Sequence, residues 1–162
     1  MTILTPPRAA PEWLRELAAA RARYEELFGW PVSVDVEPRR IVVPVGAVVD
    51  AVTMPSSLGE KVLAELDITM LAGPVTAGPG GAWWTFLSQP ATAPRPEVPA
   101  ELHAVKVRLT PRGAHAVLPT RDDNNGPWRW IARPQPHRAL PPWSAVIAVT
   151  RRIVTGGALA AS

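Results

Sequence analysis

The sequence predicts one α+β domain, a small mixed or antiparallel sheet flanked by helices. Three observations lead there. Residues 11–28 carry apolar side chains every three or four positions, the period of a helix with one buried stripe. Several shorter runs, residues 32–36 foremost, alternate apolar and polar, the period of a half-buried strand. A chain of 162 residues can bury about two-thirds of its unfolded surface, enough for a core without staples. The expected division is a loose arm over residues 1–10, one domain over 11–155 and a frayed tail over 156–162.

Each element has a local cause. Pro11 suits a first helical turn, where its absent N–H would be unpaired anyway. Trp13, Leu14, Leu17, Ala20, Tyr24, Leu27 and Phe28 form the stripe, and Gly29 and Pro31 stop the helix. Residues 32–36 read as a strand and 37–40 as a turn. Residues 41–45 read as a second strand, with Pro44 placing it at a sheet edge or ending it. Residues 47–52 form a third apolar stretch. Ser56 or Ser57 is positioned to cap a helix over 58–66, with Glu60 completing a capping box if Ser57 is the cap. Two strands, 74–75 and 83–87, flank a turn holding three glycines and a proline. Residues 88–100 are too proline-rich for helix or full ladder. Alternation over 103–109 predicts a strand that turns at Pro111-Arg112-Gly113 into a hairpin partner over 114–118. A polar loop over 121–127 leads to a short strand over 128–132. A second proline-rich connector covers 134–142, and a helix follows over 144–154.

Composition removes several classes of function. There is no cysteine, so disulfides, thiolate metal sites and cysteine nucleophiles are excluded. No apolar run approaches the ~18 residues that span a bilayer. The first residues lack the basic-then-apolar order of a signal peptide, so a cytoplasmic protein without membrane partners is expected. His103, His115 and His137 are scattered without metal-ligand spacing. Neither a nucleophile elbow nor a phosphate loop is present. Charge is uneven: residues 1–100 hold 8 basic and 11 acidic side chains, residues 101–162 hold 9 and 3. That basic second half permits a nucleic-acid surface. Arg outnumbers Lys by 15 to 2, which also fits the coding bias of a GC-rich genome.

Six segments then occur in a familiar order: Gly29-Trp30-Pro31-Val32, the stretch from Gly46 to Val52 with Asp50 in it, Gly80-Gly81-Ala82-Trp83-Trp84-Thr85-Phe86, Val105-Lys106-Val107-Arg108, the stretch from Gly113 to Thr120, and Asn125-Gly126-Pro127-Trp128-Arg129-Trp130-Ile131. Over roughly residues 15–150 the chain resembles the N-terminal domain of bifunctional DNA primase/polymerases, a branch of the archaeo-eukaryotic primase superfamily. Gly59, Leu63 and Leu66 fit the helix after that family's Asp-x-Asp strand. The resemblance implies a primase-polymerase-like core and a site at four positions. Asp50 stands where the first metal-binding aspartate is expected, Val52 at the second, Trp83 at the nucleotide-contacting histidine and Lys106 at the later acidic residue.

Those departures matter chemically. Nucleotidyl transfer needs divalent ions caged by hard oxygen ligands. Residues i and i+2 of a strand share a face, so an Asp-x-Asp pair points both carboxylates at the metal. One surviving carboxylate is too few, and Lys106 has the wrong sign. The expectation is a domain that is not an enzyme, with no metal and no cofactor, and with Asp50 as a strand-end residue paired to Lys106. Asp35-Val36-Glu37 is the one Asp-x-Glu triplet in the chain, which has no Asp-x-Asp or Glu-x-Glu, and it lies at a turn. The leading expectation for function is a protein-interaction or regulatory module with an unknown protein partner. The alternative is a single-strand nucleic-acid-binding domain, with Lys106, Arg108, Arg129, Arg133, Trp128 and Trp130 as contacts. In that reading they join Trp83 and Trp84 in a stacking platform; in the plainer one the tryptophans fill the core. An active polymerase with a displaced metal site comes third.

Overall fold

The computed structural model describes residues 10–92, 95–121 and 123–160, with side chains as far as Gly157. The expected arm, except Ala10, and the last two residues of the expected tail lie outside the described residues, as do positions 93–94 and 122 of the two loops.

The expected long N-terminal helix is α1, Glu12–Phe28, which buries Leu17, Ala20 and Tyr24. Gly29 closes it in the left-handed conformation (φ 68°), and its N–H bonds the Glu25 carbonyl. Two short strands follow, β1 (Ser33–Asp35) and β2 (Arg40–Pro44). Pro44 ends β2, yet β2 is no edge: it lies between β1 and β7 (His115–Leu118) in a three-stranded antiparallel sheet. The ladder continues through Val43, and a proline at the last position removes little.

Strand β3 (Asp50–Pro55) runs directly into α2 (Ser56–Ile68). The expected serine cap does not form. Pro55 occupies the cap position, no side chain caps the helix, and the Ser56 N–H is already donated to the Ala82 carbonyl. Strands β4 (Val75–Ala77) and β5 (Trp83–Ser88) flank the glycine-rich turn as expected, with Gly80 and Gly81 at positive φ.

The strand expected over 103–109 is mostly absent. Residues Ala100–Ala104 form α3, with Pro99 at its cap and Glu101 in its first turn. Lys106 turns the chain at φ 68°, leaving only β6, Arg108–Leu109. The apparent alternation is therefore coincidental: Leu102 and Val107 are the residues that bury. Nor do β6 and β7 pair as a hairpin. Pro111-Arg112-Gly113 does turn the chain, but it carries it from one sheet to the other, because Gly113 and Val45 hydrogen-bond there instead. Strand β8 (Arg129–Ala132) and helix α4 (Trp143–Ala160) complete the fold, α4 extending six residues past the expected end.

The expected single sheet is thus two, both antiparallel. The larger has the order β6-β3-β5-β4-β8. On one face, α2, α3 and α4 pack Val62, Leu66, Leu102, Val146 and Ile147 against Val52, Met54, Trp84 and Phe86. Gly59 lets α2 approach: a Cβ there would lie 2.8 Å from the Trp84 ring. On the other face, α1 and the small sheet pack Leu17, Tyr24, Ile41, Val43 and Leu118 against Ala51, Leu87 and Trp130. The second cover is partial and leaves one end of the large sheet open, toward Thr53, Thr85 and Trp83.

Candidate functional site

Asp50, the carboxylate that the resemblance would place at a first metal position, is fully buried. It opens β3 on the helix-covered face, two residues before Val52. Its Oδ2 accepts the Ala91 N–H at 2.7 Å and its Oδ1 accepts Arg95 Nη1–H at 2.9 Å. Arg95 donates also to the Thr110 carbonyl, and Arg112 donates to the Ala91 carbonyl. The partner of Asp50 is therefore Arg95, not Lys106. Lys106 lies exposed in the turn before β6. Nothing local announced Arg95, which sits 45 residues away in a proline-rich loop.

The other positions do not gather around Asp50. Val52 is fully buried among the helix-side core residues. Trp83 pairs with Pro55, so it projects from the opposite face of the sheet, where it is 38% exposed. Among the described residues, no three His, Asp or Glu side chains are placed to hold a metal. His103 and His115 are exposed, and His137 lines a separate cleft of about 580 Å³ together with Arg133, Arg138 and Trp30.

The four platform tryptophans divide in two. Trp84 and Trp130 are core residues, in the helix-side and small-sheet-side cores respectively. Trp130 meets Tyr24 edge-on at 6.3 Å. Trp83 and Trp128 reach the surface at the open end of the large sheet. Between them lies Gly78, whose N–H bonds the Trp83 carbonyl. The Trp128 ring lies over Gly78, where a Cβ would come within 3.3 Å of it. Beside Trp83, Arg108 sets its guanidinium 5.6 Å from the indole centroid, a cation–π approach. Thr53 and Thr85 share a hydrogen bond at 2.9 Å on the same stretch of sheet, and Thr53 is in register with Arg108. Thr76, in register with Thr85 and Trp130, is buried with a hydroxyl that has no hydrogen-bond partner among the described residues.

The sequence-predicted contacts are therefore only partly brought together. Arg108 and Lys106 share the β6 rim, and Trp128 and Arg129 the β8 rim, with Trp83 between. Arg133 and Trp130 belong elsewhere. Two residues that sequence reasoning did not single out as contacts line one groove with Trp128: Trp13, read as part of the core stripe, and Arg39, read only as a turn residue. Arg39 stacks over the Trp13 ring at 4.2 Å. Arg39 has a positive φ of 63°, which no sequence pattern signals. Arg121 borders the same groove. Hydrogen bonds to Asp123 hold its guanidinium above its ordinary range, and the same contact, with the Asn125 N–H, draws the Asp123 carboxyl down.

No protein-family model, curated protein or solved structure matches the chain.

Proposed function

We propose that this chain is a non-catalytic, primase-polymerase-like binding domain whose open sheet face holds single-stranded nucleic acid. The contact between Trp83 and Arg108 carries the reading. A nucleotide offers a flat base and an anionic phosphate; a half-exposed indole beside a guanidinium matches both. No acidic side chain pairs with Arg108 among the described residues. The non-catalytic part rests on Asp50: both its oxygens are engaged by Ala91 and Arg95, and the side chain is fully buried, out of reach of a substrate phosphate.

Fluorescence anisotropy of a labelled oligothymidylate tests this. Binding at low salt should weaken as salt rises, with a log–log slope of about −0.7 per phosphate contact. Trp83→Ala should weaken it by about five- to hundred-fold, the range for one stacked base. Absence of binding at low salt would refute the reading. For the non-catalytic part, Mg²⁺ should leave the melting temperature unchanged, since a ligand of the native state raises it. A Mg²⁺-dependent rise that Asp50→Asn removes would overturn it.

One observation favours the protein-interaction reading as well. At the end of α2, Ile68, Met70 and Leu71 are exposed, the first two at 76% and 80%. Such a cluster suits a protein partner. Ile68→Ser with Met70→Ser should abolish capture of that partner and leave oligothymidylate binding intact.

A further inference from the structure

We infer that the nucleic-acid path does not end at Trp128 but enters a groove where Arg39 and Trp13 form a second stacking station. This rests on the nucleic-acid reading above. The groove encloses about 470 Å³ between the start of α1, the β1–β2 turn and the lead into β8, with Trp13, Pro38, Arg39, Pro79 and Trp128 among its walls. Trp128 borders both regions: its ring covers Gly78, which bonds Trp83, and it lines the groove together with Trp13. From β5 to β8 is two strand spacings, roughly 10 Å, which one extended strand of nucleic acid crosses readily.

Charge selects the occupant. Arg40 is paired with Asp35, and Arg121 with Asp123 and Glu16. Arg39 has no acidic partner among the described residues. Its guanidinium carbon lies 4.2 Å from the Trp13 centroid, and the residue is otherwise exposed. A guanidinium held this way can stack a base on its free face and donate to phosphate from its edge. Arg108 on Trp83 repeats the arrangement on the other side of Trp128. A proline-rich peptide would meet the same aromatic walls. Continuity between the two arginine–tryptophan pairs favours a nucleic-acid strand instead.

The test is anisotropy of the full chain with a ladder of labelled oligothymidylates, comparing wild type, Arg39→Ala, Arg39→Lys and Trp83→Ala. Arg39→Ala should leave the shortest bound oligomers unchanged, weaken the longer ones by about five- to hundred-fold, and shorten the length at which affinity levels off. Arg39→Lys should retain the salt slope and lose most of the affinity gained with length. Arg39→Ala matching wild type at every length, while Trp83→Ala still weakens binding, would end the path at Trp128 and spare the broader reading. Full recovery by Arg39→Lys would refute a stacking station. No wild-type binding at all would remove both proposals. In NMR spectra, a proline-rich peptide that shifts the Arg39 and Trp128 amides where oligothymidylate does not would assign the groove to protein and overturn the inference.

Discussion

Replacing Asp50 by alanine should be among the costliest single substitutions in this protein. The carboxylate is fully buried, and the Arg95 side chain that it pairs with is only 15% exposed. Removing it leaves the guanidinium, among the described residues, with the Thr110 carbonyl alone, and it deprives the Ala91 N–H of its 2.7 Å acceptor. Breaking one side of a buried pair costs about 3–5 kcal/mol, most of it the penalty for the partner left behind. For a chain this long that lowers the melting temperature by roughly 6–20 °C. Asp50→Asn keeps the shape and one acceptor, so it should cost less, about 1.5–3 kcal/mol for a lost charged hydrogen bond. Urea unfolding of both variants gives the magnitudes, and hydrogen exchange at Ala91 reports the local opening. Adding Arg95→Ala to Asp50→Ala should cost under about 1 kcal/mol more, because the stranded charge is then gone. An Asp50→Ala cost below about 1 kcal/mol, a protected Ala91 amide in that variant, or strictly additive single costs would refute the reasoning.

Other outcomes follow from single contacts. Gly59→Ala should destabilise by about 1–3 kcal/mol through overpacking against Trp84, offset by about 1 kcal/mol of helix propensity; calorimetry of Gly59→Ala beside Gly59→Ala/Trp84→Leu should show the loss recovered in the double variant. Arg108→Ala should reduce the salt slope of oligothymidylate binding by about 0.7, the share of one phosphate contact. Glu101 is held below the ordinary carboxylate range by a backbone N–H and by Arg151, and Asp123 by Arg121 and the Asn125 N–H. A lowered folded-state value contributes stability above the unfolded value and loses it as pH falls through the folded one. The contribution of these exposed pairs should therefore be lost from the ordinary carboxylate range downward, and Asp123→Asn should flatten that limb of the stability profile.

What could be read from the sequence was local. Helix α1, its glycine stop, the turn between β4 and β5 and strand β8 each follow from spacing and turn chemistry inside a short window. What escaped was decided by partners far along the chain. Alternation over 103–109 fits a strand equally well whether or not a sheet edge waits for it; here Leu102 is drawn into the helix-side core and the segment coils. The split into two sheets depends on Val45 meeting Gly113, a pairing between distant segments. The same holds at the site. That tryptophans would divide between core and surface follows from strand parity, but which ones did so depended on how far the small sheet extends. Arg95 and Arg39 lay in segments read as connectors, where proline content says little about side-chain direction.

The short rims of both sheets have a consequence for behaviour in concentrated solution. A bare β surface invites neighbouring molecules to add strands and grow into fibres. Here β6 offers two residues, β1 three, and β7 and β8 four each, with a register irregularity beside Val75 and Thr76 breaking the β4–β8 margin. None of these margins gives an incoming chain a long ladder to copy, so the protein can leave Trp83 uncovered while resisting self-templated aggregation.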